Sequence, residues 1–227
     1  DNKFKHPKNI DNIVAKRGSL FMINLKHEVE AQGYTVVHIK TDSIKATPND
    51  DHINNFITEY GKKYGYIIDV AGEYDKMALV NKAVLIAHYK DGGEKDWHAI
   101  GTEFAIPYVY KTLFTHDPIE QDDYIVTKSA NKGPLYLGEK FIGKIGTFYA
   151  SRSGEELTWE NSEGKRLAPS GTKGFLWRLP EDLTNKFDID QNYYDTLVVD
   201  AIKHIKQVGD IDKLIDIPDV FKGLVEL

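Results

Sequence analysis

Four polar residues, Lys40-Thr41-Asp42-Ser43, stand between two extended runs, and this spacing constrains the chain more than any other stretch. Gly33 stops a helical pattern, as glycine does just past a helix end. Residues 34–39, Tyr-Thr-Val-Val-His-Ile, have the β-branched and aromatic content of a strand. Residues 44–46 begin a second, shorter extended run. A polar tetrad between them has room only for a tight turn. The pattern therefore predicts a β-hairpin with one carboxylate, Asp42, at its tip. Rigid strands on both sides would fix that carboxylate, as metal-assisted phosphoryl chemistry requires. Asp and Ser are also ordinary turn residues, so the tripeptide alone fits a purely structural role.

The flanks predict helices. One begins at about residue 9, with Asn9 or Asp11 as N-cap. Val14, Gly18, Phe21, Leu25 and Val29 recur at spacings of three and four, and Ile10, Ile13 and Leu20 widen the stripe. Gly18 within it suggests close packing. Pro48-Asn49-Asp50-Asp51 opens a second helix, with Ile53, Phe56, Ile57 and Tyr60 facing inward and Gly61 closing it. Strands are expected over 66–71 and 77–89, with Asp91-Gly92-Gly93 turning the chain into a returning strand at 97–102. A short aromatic helix follows at 107–114.

Glycines then punctuate short extended runs, including 138–149 and 155–159, with a turn at Asn161-Ser162-Glu163-Gly164. Residues 190–208 read as a helix that buries Tyr193, Tyr194, Leu197, Val198, Ala201, Ile202 and Ile205. The expected fold class is α+β, with helices packed on a mainly antiparallel sheet, followed by a mixed α/β region. The expected division is residues 1–105 and 106–227, with a soft boundary near 104–107.

The arrangement helix, strand–Thr41-Asp42-Ser43–strand, helix resembles the palm of family B DNA polymerases. Their third motif is a hairpin bearing Asp-Thr-Asp-Ser. Lys40 stands in place of the first Asp, and the second, the more important metal ligand, maps to Asp42. Asn12-Ile13-Val14-Ala15-Lys16-Arg17-Gly18 and Leu20-Phe21-Met22-Ile23 resemble the helix leading into that motif in phage-type members. Tyr74-Asp75-Lys76-Met77 through Asn81-Lys82-Ala83-Val84-Leu85 resembles the strand with the primer-contacting Lys-Lys-Arg-Tyr element. Only Lys82 is retained there, and Leu85 takes the Tyr position. Gly171-Thr172-Lys173-Gly174-Phe175 with Trp177 resembles a phage-type thumb segment. The family's first motif, with the other metal-binding Asp, and its second, a fingers helix, do not appear. The first residue is Asp1, which fits a processed product, a polypeptide cleaved from a tag, or a piece of something longer.

The resemblance implies template-directed nucleotidyl transfer with Asp42 as catalytic residue and metal ligand in a two-ion Mg2+ site. That site would be shared with an N-terminal half carrying the other motifs. It further implies deoxynucleoside triphosphates and primer–template DNA as partners, the DNA being met by Thr41, Lys45, Lys76, Lys82 and Lys173. A phage-infected bacterial cytoplasm is the expected location.

Composition bounds these expectations. The chain has 227 residues with 41% hydrophobic content, enough for one large domain or two small ones. A net charge of -6 does not advertise a nucleic-acid binder, so any DNA contact must use a local basic surface. The absence of cysteine removes disulfides and thiolate zinc sites and fits a reducing compartment. No apolar run approaches the ~20 residues of a membrane span, so no membrane partner is expected. Gly138-Glu139-Lys140-Phe141-Ile142-Gly143-Lys144 mimics a Walker A loop, but Ile145 follows where Ser or Thr is needed. His88 and His98 face each other across the expected hairpin, a solvated pair without a third zinc ligand. Two other readings stay open: a non-catalytic nucleic-acid-binding or assembly module with a polymerase-like fold, and an unrelated α+β protein in which Asp42 only makes a turn.

Overall fold

The computed structural model describes residues 13–81, 83–93, 96–182 and 188–225. The fold is α+β, with every paired strand antiparallel. The backbone divides into two compact units, Asp1–Glu73 and Tyr74–Leu227. The division falls after Glu73 and not near 104–107. The reason lies in the second unit's core, where Val84 and Ile86 are buried together with Phe104, Ile106, Leu113 and Phe114. A boundary near residue 105 would cut that core in two.

In the first unit, α1 (Ile13–Ala31) leads through Gly33, at φ 90°, into a two-stranded sheet of β1 (Thr35–Lys40) and β2 (Ser43–Thr47). The expected helix start at Asn9 or Asp11, and Ile10, lie outside the described residues. Met22, Leu25 and Val29 of α1 are buried with Ile53 of α2 (Asp51–Lys63). Val36, Ile39, Ile44 and Ala46 of the hairpin pack on the same cluster. Phe21 completes it against Tyr60 and Tyr66, at ring separations of 5.7 and 4.4 Å.

Only the second half of the α1 stripe is covered. Ile13, Val14, Leu20 and Ile23 are exposed, and a Cβ on Gly18 would meet nothing within 4 Å. The expected close packing at Gly18 is therefore not observed among the described residues. Asp50 caps α2 by accepting the Ile53 N–H at 2.9 Å. The helix runs past Gly61, which is buried inside it because a Cβ there would press on Ile68, and the left-handed residue after its end is Gly65, at φ 78°. Residues 66–71 form no strand: Ile68 packs back on the helix while Ile67 points to solvent.

The second unit opens with the sheet β3 (Tyr74–Leu79), β4 (Leu85–Tyr89), β5 (Trp97–Ile100). The expected single run 77–89 is broken because Asn81 Oδ1 accepts the N–H groups of Ala83 and Val84 and closes a turn. The Asp91-Gly92-Gly93 turn is as expected, but the register pairs His88 with Trp97 and Ala87 with His98. The two histidines therefore project to opposite faces and are no pair.

After α3 (Pro107–Tyr110) and a wide turn over Lys111–Thr115 comes a β-rich layer. One sheet has the order β12 (Leu176–Arg178), β9 (Ile145–Ser151), β6 (Val126–Ser129). The other runs β11 (Arg166–Leu167), β10 (Leu157–Glu160), β7 (Leu135–Leu137), β8 (Lys140–Gly143). The Walker-like stretch lies on β8 and the turns beside it, with no helix after it. Helix α4 (Gln191–Lys206), capped by Asp190, buries the expected face, Leu197 being half-buried. Trp177, Phe148, Tyr149 and Tyr194 are the largest fully buried side chains of this core, and α5 (Asp219–Val225) closes the unit.

Candidate functional site

The hairpin tip has the predicted form. Lys40 pairs with Ser43, leaving Thr41 and Asp42 as a two-residue turn, with Thr41 at φ 53°. The Ser43 hydroxyl donates to the Lys40 carbonyl at 3.1 Å and ties the turn shut. Both Thr41 and Asp42 are exposed. A short turn between paired strands lets the carboxylate move little relative to the sheet, which is the positional control a reacting group needs.

The hairpin that carries Asp42 also carries Lys40 and Lys45. The register shifts between Val36 and His38, a bulge that sets His38 opposite Lys45. Burial, then Lys45 and Lys40, push the His38 imidazole below its ordinary pKa, and its buried Nδ1 has no hydrogen-bond partner among the described residues. Burial and then Lys40 likewise pull Lys45 down. Sequence reading named Lys45 but missed His38, because the bulge that pairs them is not visible in the residue pattern.

Mg2+ takes hard oxygen ligands in octahedral geometry and commonly keeps several waters. Asp42 offers one such carboxylate. Asp50 is committed elsewhere, accepting the Tyr34 hydroxyl at 2.8 Å as well as the α2 N–H. Among the described residues no three His, Cys, Asp or Glu converge on a point that could hold a metal ion. The described residues therefore do not by themselves make up a two-ion site.

The other expected contacts fall in the second unit. Lys76, on β3, lines a cleft of about 830 Å³ with Trp97, His116, Lys206 and Asp212. His88 also lines it, with Nδ1 2.7 Å from Asp75 Oδ1 and Nε2 3.3 Å from the Gly93 carbonyl. Both ring nitrogens face oxygens, so the imidazole braces the β3–β4–β5 edge and is not open to a ligand in the cleft. Lys173 lies elsewhere, exposed in the 169–174 loop. Lys82 lies outside the described residues. Thr41 and Lys45 belong to one unit and Lys76 and Lys173 to the other.

No protein-family model matches the chain, and no curated protein or solved structure does. No helix among the described residues is long and apolar enough to cross a membrane.

Proposed function

We propose that this chain is the C-terminal palm-and-thumb part of a DNA polymerase of the family B kind. The observation that carries the reading is Asp42. It is exposed on a two-residue hairpin turn, and the hairpin is flanked by α1 and α2 in the order the resemblance calls for. The reaction is attack of a primer 3′-hydroxyl on the α-phosphate of a deoxynucleoside triphosphate, with pyrophosphate leaving. Asp42 contributes one fixed negative charge to that centre. The remaining carboxylates and the nucleotide-binding helix come from a segment outside these residues. Lys45, Lys76, Lys82 and Lys173 meet the sugar–phosphate backbone, a contact that positions the duplex without reading its sequence.

The test is primer extension by the chain together with a fragment that carries the missing motifs. Extension is expected from the mixture and not from either part. Asp42→Asn keeps the shape and removes the charge, and should cut extension by about 100-fold or more, the scale set by one charged group at a reacting centre. Near-normal extension by that variant would sink the assignment.

A second reading is a nucleic-acid-binding or assembly module without catalysis. What favours it is that Asp42 is accompanied by lysines and not by acids. In that case the mixture binds primer–template without extending it, and Asp42→Asn binds equally well.

A further inference from the structure

Lys128 occupies a place in the second unit where a lysine is costly. It lies on β6 in register with Gly146 of β9. Two residues before it, Val126 is buried opposite the equally buried Phe148, whereas Thr127 and Ser129 are exposed. Residues two apart in a strand share a face, so Lys128 emerges from the core-facing side of the sheet. Its ammonium stands 5.8 Å from the ring centroid of Trp177, which is fully buried.

No carboxylate pairs with this cation among the described residues. Its hydrogen bond is a long one, 3.4 Å to the Ser170 carbonyl. Burial alone holds its pKa below the ordinary lysine range, with no acid to offset it. A cation taken partly out of water without a counter-charge is normally avoided. It is tolerated where an incoming anion supplies the missing charge.

The loop above it supplies further donors. Residues 169–174, Pro-Ser-Gly-Thr-Lys-Gly, arch over Lys128, and a Cβ on Gly171 would lie 3.7 Å from its Nζ. Gly171 and Gly174 adopt φ 71° and 87°, which bend the loop tightly. Thr172 is buried and anchors it, its hydroxyl and its N–H both donating to the Pro169 carbonyl. The Thr172 carbonyl in turn accepts the Phe175 N–H and the Trp177 indole N–H. These bonds leave the N–H groups of Gly171, Lys173 and Gly174 without an acceptor among the described residues. The Lys173 side chain is exposed and makes no ion pair among them.

We propose that Lys128 and the 169–174 loop form a binding site for a phosphate group. The half-buried Lys128 ammonium, the exposed Lys173 ammonium and the free loop N–H groups are its donors. Consecutive backbone N–H groups beside a fixed cation are a recurrent way of holding such an anion. A small phosphorylated molecule and a nucleic-acid backbone both present that group. The site does not depend on the polymerase reading.

The experiment is a titration of the 15N-labelled full chain, first with inorganic phosphate and separately with a short mixed-sequence DNA duplex. The Gly171, Lys173 and Gly174 amide resonances should shift together and saturate. Lys128→Gln should weaken that response about tenfold, the worth of one charge-assisted hydrogen bond, and Lys128→Arg should keep it. Lys128→Gln should also melt no lower than the parent, since it removes a desolvated cation that has no carboxylate partner among the described residues. Lys173→Gln, on the exposed loop, gives a second weakened variant whose folding is not at issue. A response to phosphate alone assigns the site to small phosphorylated ligands; a response to the duplex as well assigns it to a backbone. Loop amides unmoved by both probes, or shifts scattered over surface lysines, overturn the proposal. A melting point lowered by Lys128→Gln with binding unchanged also overturns it, making Lys128 a brace for Trp177.

Discussion

At the residue scale, Asp50 joins two elements through one side chain. It accepts the Ile53 N–H at the start of α2 and the hydroxyl of Tyr34, which enters β1. The Ile53 N–H first, and then the Tyr34 hydroxyl, hold its carboxyl below the ordinary value of 3.8. A carboxyl with a depressed folded pKa contributes stability that is present above the unfolded value and lost as pH falls through the folded one. The first unit should therefore melt at a steady temperature near neutrality and progressively lower as pH drops below about 4. Asp50→Asn should keep most of the cap at neutral pH but lose this acid dependence, whereas Asp50→Ala should lower the melting midpoint at every pH. Thermal scans of the three proteins across the acid range check both. The capping half of this role was legible in Pro48-Asn49-Asp50-Asp51. The Tyr34 half was not, because nothing local announces a partner sixteen residues away. Asp42 at a turn was equally legible, while the opposition of His38 and Lys45 needed the bulge.

Glycines separate what pattern reveals from what only packing reveals at the scale of elements. Gly18 lies inside α1, and outside its own helix no described residue comes within 4 Å of a Cβ there, so Gly18→Ala should stabilise the first unit by about 1 kcal/mol through helix propensity. At Gly154 a Cβ would fall 2.1 Å from the Trp177 carbonyl oxygen, which belongs to backbone and cannot swing aside. Gly154→Ala should cost about 2 kcal/mol or more. Denaturant midpoints at unchanged slope measure both. In the sequence the two glycines invite the opposite expectation, since Gly18 sits on an apolar stripe and Gly154 in a polar turn. Helical stripes in α2 and α4 were readable because one side of each is buried. The strand expected at 66–71 failed because extended composition does not supply a partner strand. The run 77–89 hid a turn because one Asn among β-formers decides it.

At the scale of the whole molecule, the position of the division has a direct consequence. Residues 74–227 contain one continuous core, whereas a piece beginning at residue 106 lacks Val84, Ile86 and Phe104 from it. A 74–227 polypeptide should show a cooperative thermal transition by circular dichroism. A 106–227 polypeptide should show a broad, non-cooperative one, because losing several buried apolar side chains at about 2–5 kcal/mol each exceeds the stability of an ordinary domain. The change in residue character near 104–107 was visible in the sequence. That it is not a boundary was invisible, because only the fold gathers Val84 and Ile86 into one core with Leu113 and Phe114. The same division sorts the chromophores. All three tryptophans, Trp97, Trp159 and Trp177, belong to the second unit, and the first holds tyrosines, at 34, 60, 64 and 66, but no tryptophan. Light absorbed at the red edge by indole is therefore emitted by one unit alone, and in that unit Trp177 lies 5.0 Å from the ring of Tyr193, close enough to collect its excitation. Each half of the chain thus carries its own colour, and the melting of one can be watched without a label while the other stays dark.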